Sequence, residues 1–314
     1  MMLEADRLAN TVAREFYKER QVIMEERRMR TDASPIGTLV EQFLGTAFIA
    51  HPYGFPAIGW TSDIQNITTD QLMAFFEAYY SPSNMVVAIV GDIQPDEVIR
   101  MAEKYFGPLP ARPVAPGIRT VEPEQPGERR IQVEWEANPY MVIGYHRPSV
   151  NHEDDIVFDV ISFLLSYGRT SQLYKRLVEE QQIAVQVDTV ASFPGKKYPT
   201  LFVLVGAPLA PHTLEELEEA MYAELEKLKT EPVDERELQK VINNVEASFV
   251  ASLSSNSGLA SQLTHAQGVL GDWRAIEEQI KQIKAITAED VMRVAKTYFT
   301  KQNRTVAWLV KEEE

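Results

Sequence analysis

Two glutamates raise the first chemical question. In the run Phe16-Tyr-Lys-Glu-Arg-Gln-Val-Ile-Met-Glu-Glu-Arg-Arg-Met-Arg-Thr-Asp32, Glu19 and Glu26 stand seven residues apart. On a helix that spacing puts both on one face, two turns or roughly 10 Å apart. This is too far for an acid/base pair sharing one bond. It suits one carboxylate bound to a centre and a second supporting it from an adjacent turn. A solvated face carrying Glu/Arg pairs fits the same spacing. The other candidates are weaker. His146 and His152, with Glu153, Asp154 and Asp155 beside them, flank a turn and a helix start, where capping accounts for them. His51 sits in a Pro/Gly loop and reads as packing. No GxSxG elbow, GxGxxG or phosphate loop occurs.

The glutamates need a helix, and the apolar positions Leu8, Val12, Phe16 and Ile23 predict one over residues 4–30, ended by Asp32-Ala-Ser-Pro35. A helix over 37–47 and an aromatic loop over 48–60 follow. Thr68 or Thr69 caps a helix with the stripe Leu72, Phe75, Phe76 and Tyr79. Residues 85–90 read as an apolar strand, and Pro95 opens a further helix. Six prolines between Gly107 and Gly127 exclude a helix or central strand and mark a semi-rigid linker. The expected division is 1–108, a linker at 109–127, and 128–314. In the last part strands are expected at 131–135, 141–146, 183–190, 201–207 and 305–310. Helices are expected at 154–166, 171–180, 213–229, 234–251, 258–270 and 287–299. The helix at 213–229 should turn Glu215, Glu218 and Glu219 outward over an inner stripe of Leu217, Met221 and Leu225. Grouped strands and helices favour an α+β class with helices on one sheet face.

Composition narrows the function classes. The 314 residues carry a net charge of −15, which repels nucleic acids and anionic bilayers. No cysteine is present, so a disulfide framework, an iron–sulfur cluster, a thiolate zinc finger and a cysteine nucleophile are excluded. No apolar run reaches the length of a bilayer crossing, and no apolar signal segment opens the chain. The compartment stays open.

The chain also matches itself. Residues 67–90 align without a gap on 286–309, with identities at Ile67/Ile286, Thr68/Thr287, Met73/Met292, Tyr79/Tyr298, Asn84/Asn303, Val87/Val306 and Ala88/Ala307. A repeat of this kind implies duplicated domains. The strand opening at Ile131 would then have its counterpart roughly ninety residues before Met1. The expectation is a first domain lacking its leading strands and first helix, with sheet edge and apolar surface left to a partner.

The run Glu19-Arg20-Gln-Val22-Ile-Met-Glu-Glu26, with Asp32-x-x-Pro35, His51-Pro-Tyr53, Ile58-Gly59, 72–80 and 86–92, resembles the peptidase M16 family. That family includes pitrilysin, insulinase and mitochondrial processing peptidase-like proteins. Thr170-Ser-Gln-Leu-Tyr-Lys-Arg-Leu177 and Ile183-Ala184 extend the similarity into the second part. The resemblance implies two tandem α+β domains of LuxS/MPP-like type with mainly antiparallel sheets covered by helices. It also implies a zinc endopeptidase that works on peptides as a homo- or hetero-oligomer with another M16-type subunit. In the active subunit an HxxEH motif and a later glutamate hold zinc. By position that glutamate is Glu26, the third metal ligand, and Glu19 is a supporting acid. The chain departs from this pattern because no HxxEH occurs, and His51, His146, His152, His212 and His265 never stand four apart. Hence no tight zinc and no hydrolysis are expected of these residues alone. The non-zinc half of the family supplies an Arg and a Tyr to the substrate, but the matching positions hold Val178 and Val185. The resemblance is therefore to a zinc-type subunit lacking its HxxEH segment. The alternative is a non-catalytic structural or peptide-binding partner.

Overall fold

A computed structural model describes residues 1–311. The chain forms two compact units that interleave in sequence. One comprises 1–27, 58–119 and 252–274; the other comprises 28–57, 120–251 and 275–314. This grouping by contact differs from division at 108 and 128, because 28–57 joins the later unit and 252–274 the earlier one.

The larger unit is built on one five-stranded sheet. Its strands are β1 (Arg129–Glu134), β2 (Tyr140–Arg147), β3 (Ala184–Phe193), β4 (Thr200–Pro208) and β5 (Arg304–Val310). The order is β1-β5-β2-β4-β3; only β1 and β5 run parallel. All five expected strands form. Helices cover both faces, however, which corrects the expectation of one covered face. On one side α3 (Pro35–Ala47) lays Leu39, Phe43, Leu44 and Ala47 against Val142, Leu201, Val203, Ala307 and Leu309. On the other, α7 (Asp155–Ser166), α8 (Leu214–Thr230) and α12 (Ala288–Tyr298) share a core with Met141, Ile143, Tyr145, Phe202, Leu204 and Val306. The physical reason lies in β2 and β4, buried almost without alternation, as strands covered on both sides are. Two glycines permit close approach. A Cβ on Gly144 would stand 2.5 Å from the Phe43 ring, and one on Gly206 would stand 2.5 Å from Met221 Cε. Helices α9 (Glu235–Ser252) and α11 (Ala275–Ala285), the second unforeseen, complete this unit's α-helices, and the helix expected at 171–180 is a π-helical segment, Tyr174–Glu180.

The smaller unit is helical. It holds α1 (Met2–Ala9), α2 (Phe16–Arg27), α4 (Thr61–Asn66), α5 (Thr69–Tyr79), α6 (Pro95–Phe106) and α10 (Asn256–His265). The single helix expected over 4–30 is two helices, parted at residues 10–15, where Glu15 takes a left-handed φ of 56°. The strand expected at 85–90 pairs with nothing among the described residues, and a strand without a ladder is only extended chain.

The repeat has a local structural counterpart in each unit. Thr68 and Gln71 cap α5 reciprocally, as Thr287 and Asp290 cap α12, and both helices run eleven residues. Beyond each, an asparagine Nδ2 donates back to a tyrosine carbonyl: Asn84 to Tyr79 at 3.0 Å, Asn303 to Tyr298 at 2.8 Å. Burial then diverges. Phe299 and Val306 are 2% and 1% exposed, whereas their counterparts Tyr80 and Val87 are 53% and 56% exposed.

Candidate functional site

Glu19 and Glu26 lie on α2, a shorter helix than the one expected, and two arginines fix its rotation. Arg20 Nη1 donates to the Ile67 carbonyl at 3.3 Å. The buried Arg27 donates from Nη1 to the Gly59 carbonyl at 2.6 Å and from Nε to Thr61 Oγ1 at 3.1 Å. Its guanidinium also lies over the Trp60 ring, 5.4 Å from the centroid. Arg20 and Arg27 are seven residues apart and bind one side of α2. Glu19 and Glu26 each precede one of them, so they share a neighbouring face about 100° around. Glu19 is exposed and Glu26 half-buried. Directly after Arg27 the helix widens into a π-helical segment, Arg28–Asp32, a distortion common where helices carry function.

The donor set on α2 does not fit zinc. A catalytic zinc takes three protein ligands, with imidazole prominent among them. His265 is the single histidine in the unit that holds Glu26. No group of three His, Cys, Asp or Glu side chains among the described residues could hold a metal. Val178 lies in the π-helical segment Tyr174–Glu180, packed against the larger core, and Val185 is exposed on the edge strand β3. Neither valine side chain offers a hydrogen-bond donor.

The other histidines lie in the larger unit, where His212 Nδ1 meets the Glu216 carboxylate at 2.8 Å. His146 on β2 meets the Ala47 carbonyl through Nε2 at 3.0 Å, and burial holds its pKa below the ordinary value. His152 accepts from the Asp154 amide at 3.1 Å, a bond within the turn before α7; the capping expected there does not form, since no side chain among the described residues caps that helix. His51 Nδ1 accepts from the Tyr53 amide, while its buried Nε2 has no partner among the described residues.

Three charged clusters in the larger unit escaped sequence reasoning. Glu218, expected outside, is 4% exposed. It accepts from Arg130, from Trp308 Nε1 at 2.8 Å and from the Tyr222 hydroxyl at 2.7 Å, contacts that offset its desolvation. Arg147 has a fully buried side chain paired with Asp155, and its guanidinium lies 4.3 Å from the Phe158 ring centroid. Burial, then the neighbouring Asp155 carboxylate, pushes Asp159 up to about 6. Third, Glu122, from the proline-rich segment, accepts from the consecutive amides of Ile49, Ala50 and His51, each at 2.9 Å. Sequence carries no periodic signal for most of these contacts, since Glu218 meets Arg130 and Trp308 across 88 and 90 positions and Glu122 meets its amides across 71 to 73.

A family model described as the peptidase M16 inactive domain matches residues 66–245. Zinc protease PqqE of Helicobacter pylori is 34% identical over 304 residues, covering 94% of this chain and 67% of that protein. The uncharacterized zinc protease YmxG of Bacillus subtilis is 26% identical, over 91% of this chain and 68% of that protein. The chain thus spans about two thirds of these relatives. A crystal structure of a protease from Helicobacter pylori superposes with a TM-score of 0.92 at 32% identity, covering 98% of this chain and 76% of that one. The fold is also shared with a structure titled peptidase M16 inactive domain from Pseudomonas fluorescens, at a TM-score of 0.83, 18% identity, and coverage of 99% and 74%.

Proposed function

The chain belongs to the peptidase M16 family, and on that premise we propose that it is part of a zinc-type subunit of an M16 endopeptidase that degrades or processes peptides. The observation carrying this reading is the register of α2. Arg20 and Arg27 clamp one face and hold Glu19 and Glu26 together on the next, in the order the resemblance assigns to a supporting acid and a metal-binding carboxylate. The zinc protease names of the relatives support zinc in the complete enzyme. The donors present here do not make that site, and no catalytic step is assigned to these residues. The tandem arrangement, with domains at 1–108 and 128–314 joined by 109–127, belongs to the same proposal. The duplicated cap and asparagine bond of α5 and α12 support it. So does the exposure of Tyr80 and Val87, whose counterparts are covered in the larger unit. An M16-type partner subunit would cover such apolar surface.

Metal analysis and peptide hydrolysis test the reading. The purified chain is expected to retain no stoichiometric zinc after dialysis and to cleave no unfolded peptide by itself. Mixed with a protein that supplies an HxxEH segment and binds it, the chain should support hydrolysis that Glu26→Gln abolishes. Hydrolysis insensitive to Glu26→Gln would overturn the assignment. The second reading, a non-catalytic partner, is favoured by the inactive-domain description of the matching family model. It predicts association with an M16 peptidase without dependence on Glu26.

A further inference from the structure

Three consecutive backbone N–H groups converging on one point form an anion-binding nest. Here the nest follows the C-terminus of α3, at Ile49, Ala50 and His51, and a carboxylate of the chain itself fills it. Glu122 Oε1 takes the Ile49 amide and Oε2 takes the other two. Arg129 stands 3.8 Å away while donating to the Thr46 and Ala47 carbonyls. The Glu122 side chain is 7% exposed, although Val121 and Pro123 on either side are exposed. Burial raises the pKa of this carboxyl, but the backbone donors outweigh it and hold the group below its ordinary range.

The linker around this residue is otherwise loosely held. Within the smaller unit, the Arg112 amide donates to Ser81 Oγ at 3.0 Å. Residues 113–121 then make no hydrogen bond among the described residues, and all but Ala115 are exposed. Glu122 is the next anchor, and Gln125 follows, its Nε2 donating to the Gln302 and Arg304 carbonyls at 2.9 and 2.7 Å.

We propose that Glu122 is a releasable latch that sets the slack of the linker. Engaged, it limits the unanchored span to 113–121; released, the span runs to 124. Three more residues of extended chain add roughly 9 Å of reach. Two of the three donors, Ile49 and Ala50, belong to exposed residues, while the third, His51, is buried with its ring against Phe48.

Hydrogen exchange on the full chain tests the latch directly, because the latch protects three named amides. In Glu122→Ala, the segment 48–52 should exchange at Ile49, Ala50 and His51 about tenfold faster or more. Glu124→Ala, two residues along, should change nothing. Trypsin gives a second readout, since Arg112 precedes a proline and Arg119 is the next cleavable site. Cleavage after Arg119 places Glu122 three residues beyond the cut bond, so release should speed that nick by a similar factor. Unchanged protection of 49–51 in a folded Glu122→Ala chain would overturn the proposal. If Glu122→Ala unfolds the larger unit, Glu122→Gln decides. Faster exchange confined to 49–51 upholds the latch; unfolding of this variant too would make Glu122 a core residue and end the idea.

Discussion

At the residue scale, the larger unit stakes much on a few buried charges. Arg147 and Asp155 are the clearest pair. Asp155→Ala leaves a guanidinium with no access to water and, among the described residues, only the Ala191 and residue-155 carbonyls and the Ser192 hydroxyl as acceptors, and we expect a loss of about 3–5 kcal/mol, read as a lowered denaturation midpoint. Asp159 acts in the opposite sense. Its folded pKa of about 6 lies above the ordinary 3.8, raised by burial and by Asp155 against the weaker pull of Lys196 and Arg147. Its contribution is therefore fully present below pH 3.8 and is lost as pH rises through 6. Asp159→Asn should raise stability by about 1–3 kcal/mol above that range and do nothing at its acid end. Thermal melts across pH would show this, and an equal gain at both ends would contradict it. None of these groups was legible beforehand. Glu218 looked like one more outward acid on an amphipathic helix, because its Arg130 partner lies 88 positions away.

At the element scale, what could be read was what local rules govern. Thr68 and Thr287 announce their helices because a side-chain cap is settled within four residues. The five strands were legible from branched apolar runs. Covering of the second sheet face was not, because α3 arrives from the front of the chain, though the unbroken burial of β2 and β4 was a usable signal. Residues 85–90 show the limit from the other side: their composition suits a strand, but pairing is decided by neighbours. The duplicated asparagines give a test. Asn303 donates to both the Tyr298 and His146 carbonyls, whereas Asn84 donates to Tyr79 alone. Asn303→Ala should therefore cost about 2 kcal/mol and Asn84→Ala about 1 or less, compared by urea titration. Equal costs would mean that the shared tyrosine bond carries all the weight.

At the scale of the whole molecule, the exposed apolar residues of the smaller unit govern behaviour in solution. Tyr80, Val87, Ile99 and Met101 are exposed, although α6 has the striped pattern of a buried helix. We expect the purified chain to self-associate, with light scattering giving a mass above 35.6 kDa that rises with concentration. A concentration-independent monomer mass would count against this. The Pro-rich composition suggests a linker at 109–127, but neither 28–57 nor 252–274 carried any sign of joining the unit it does, because that choice depends on long-range contacts.

The placing of β5 has a consequence for biosynthesis. Arg129–Glu134 and Tyr140–Arg147 leave the ribosome early, yet their shared neighbour, Arg304–Val310, is translated more than 150 residues later. At roughly 5–20 residues per second, the two strands wait many seconds with a gap between them. During that wait their apolar faces are open to chaperones or to premature partners, and the sheet can close only when the final strand slides in.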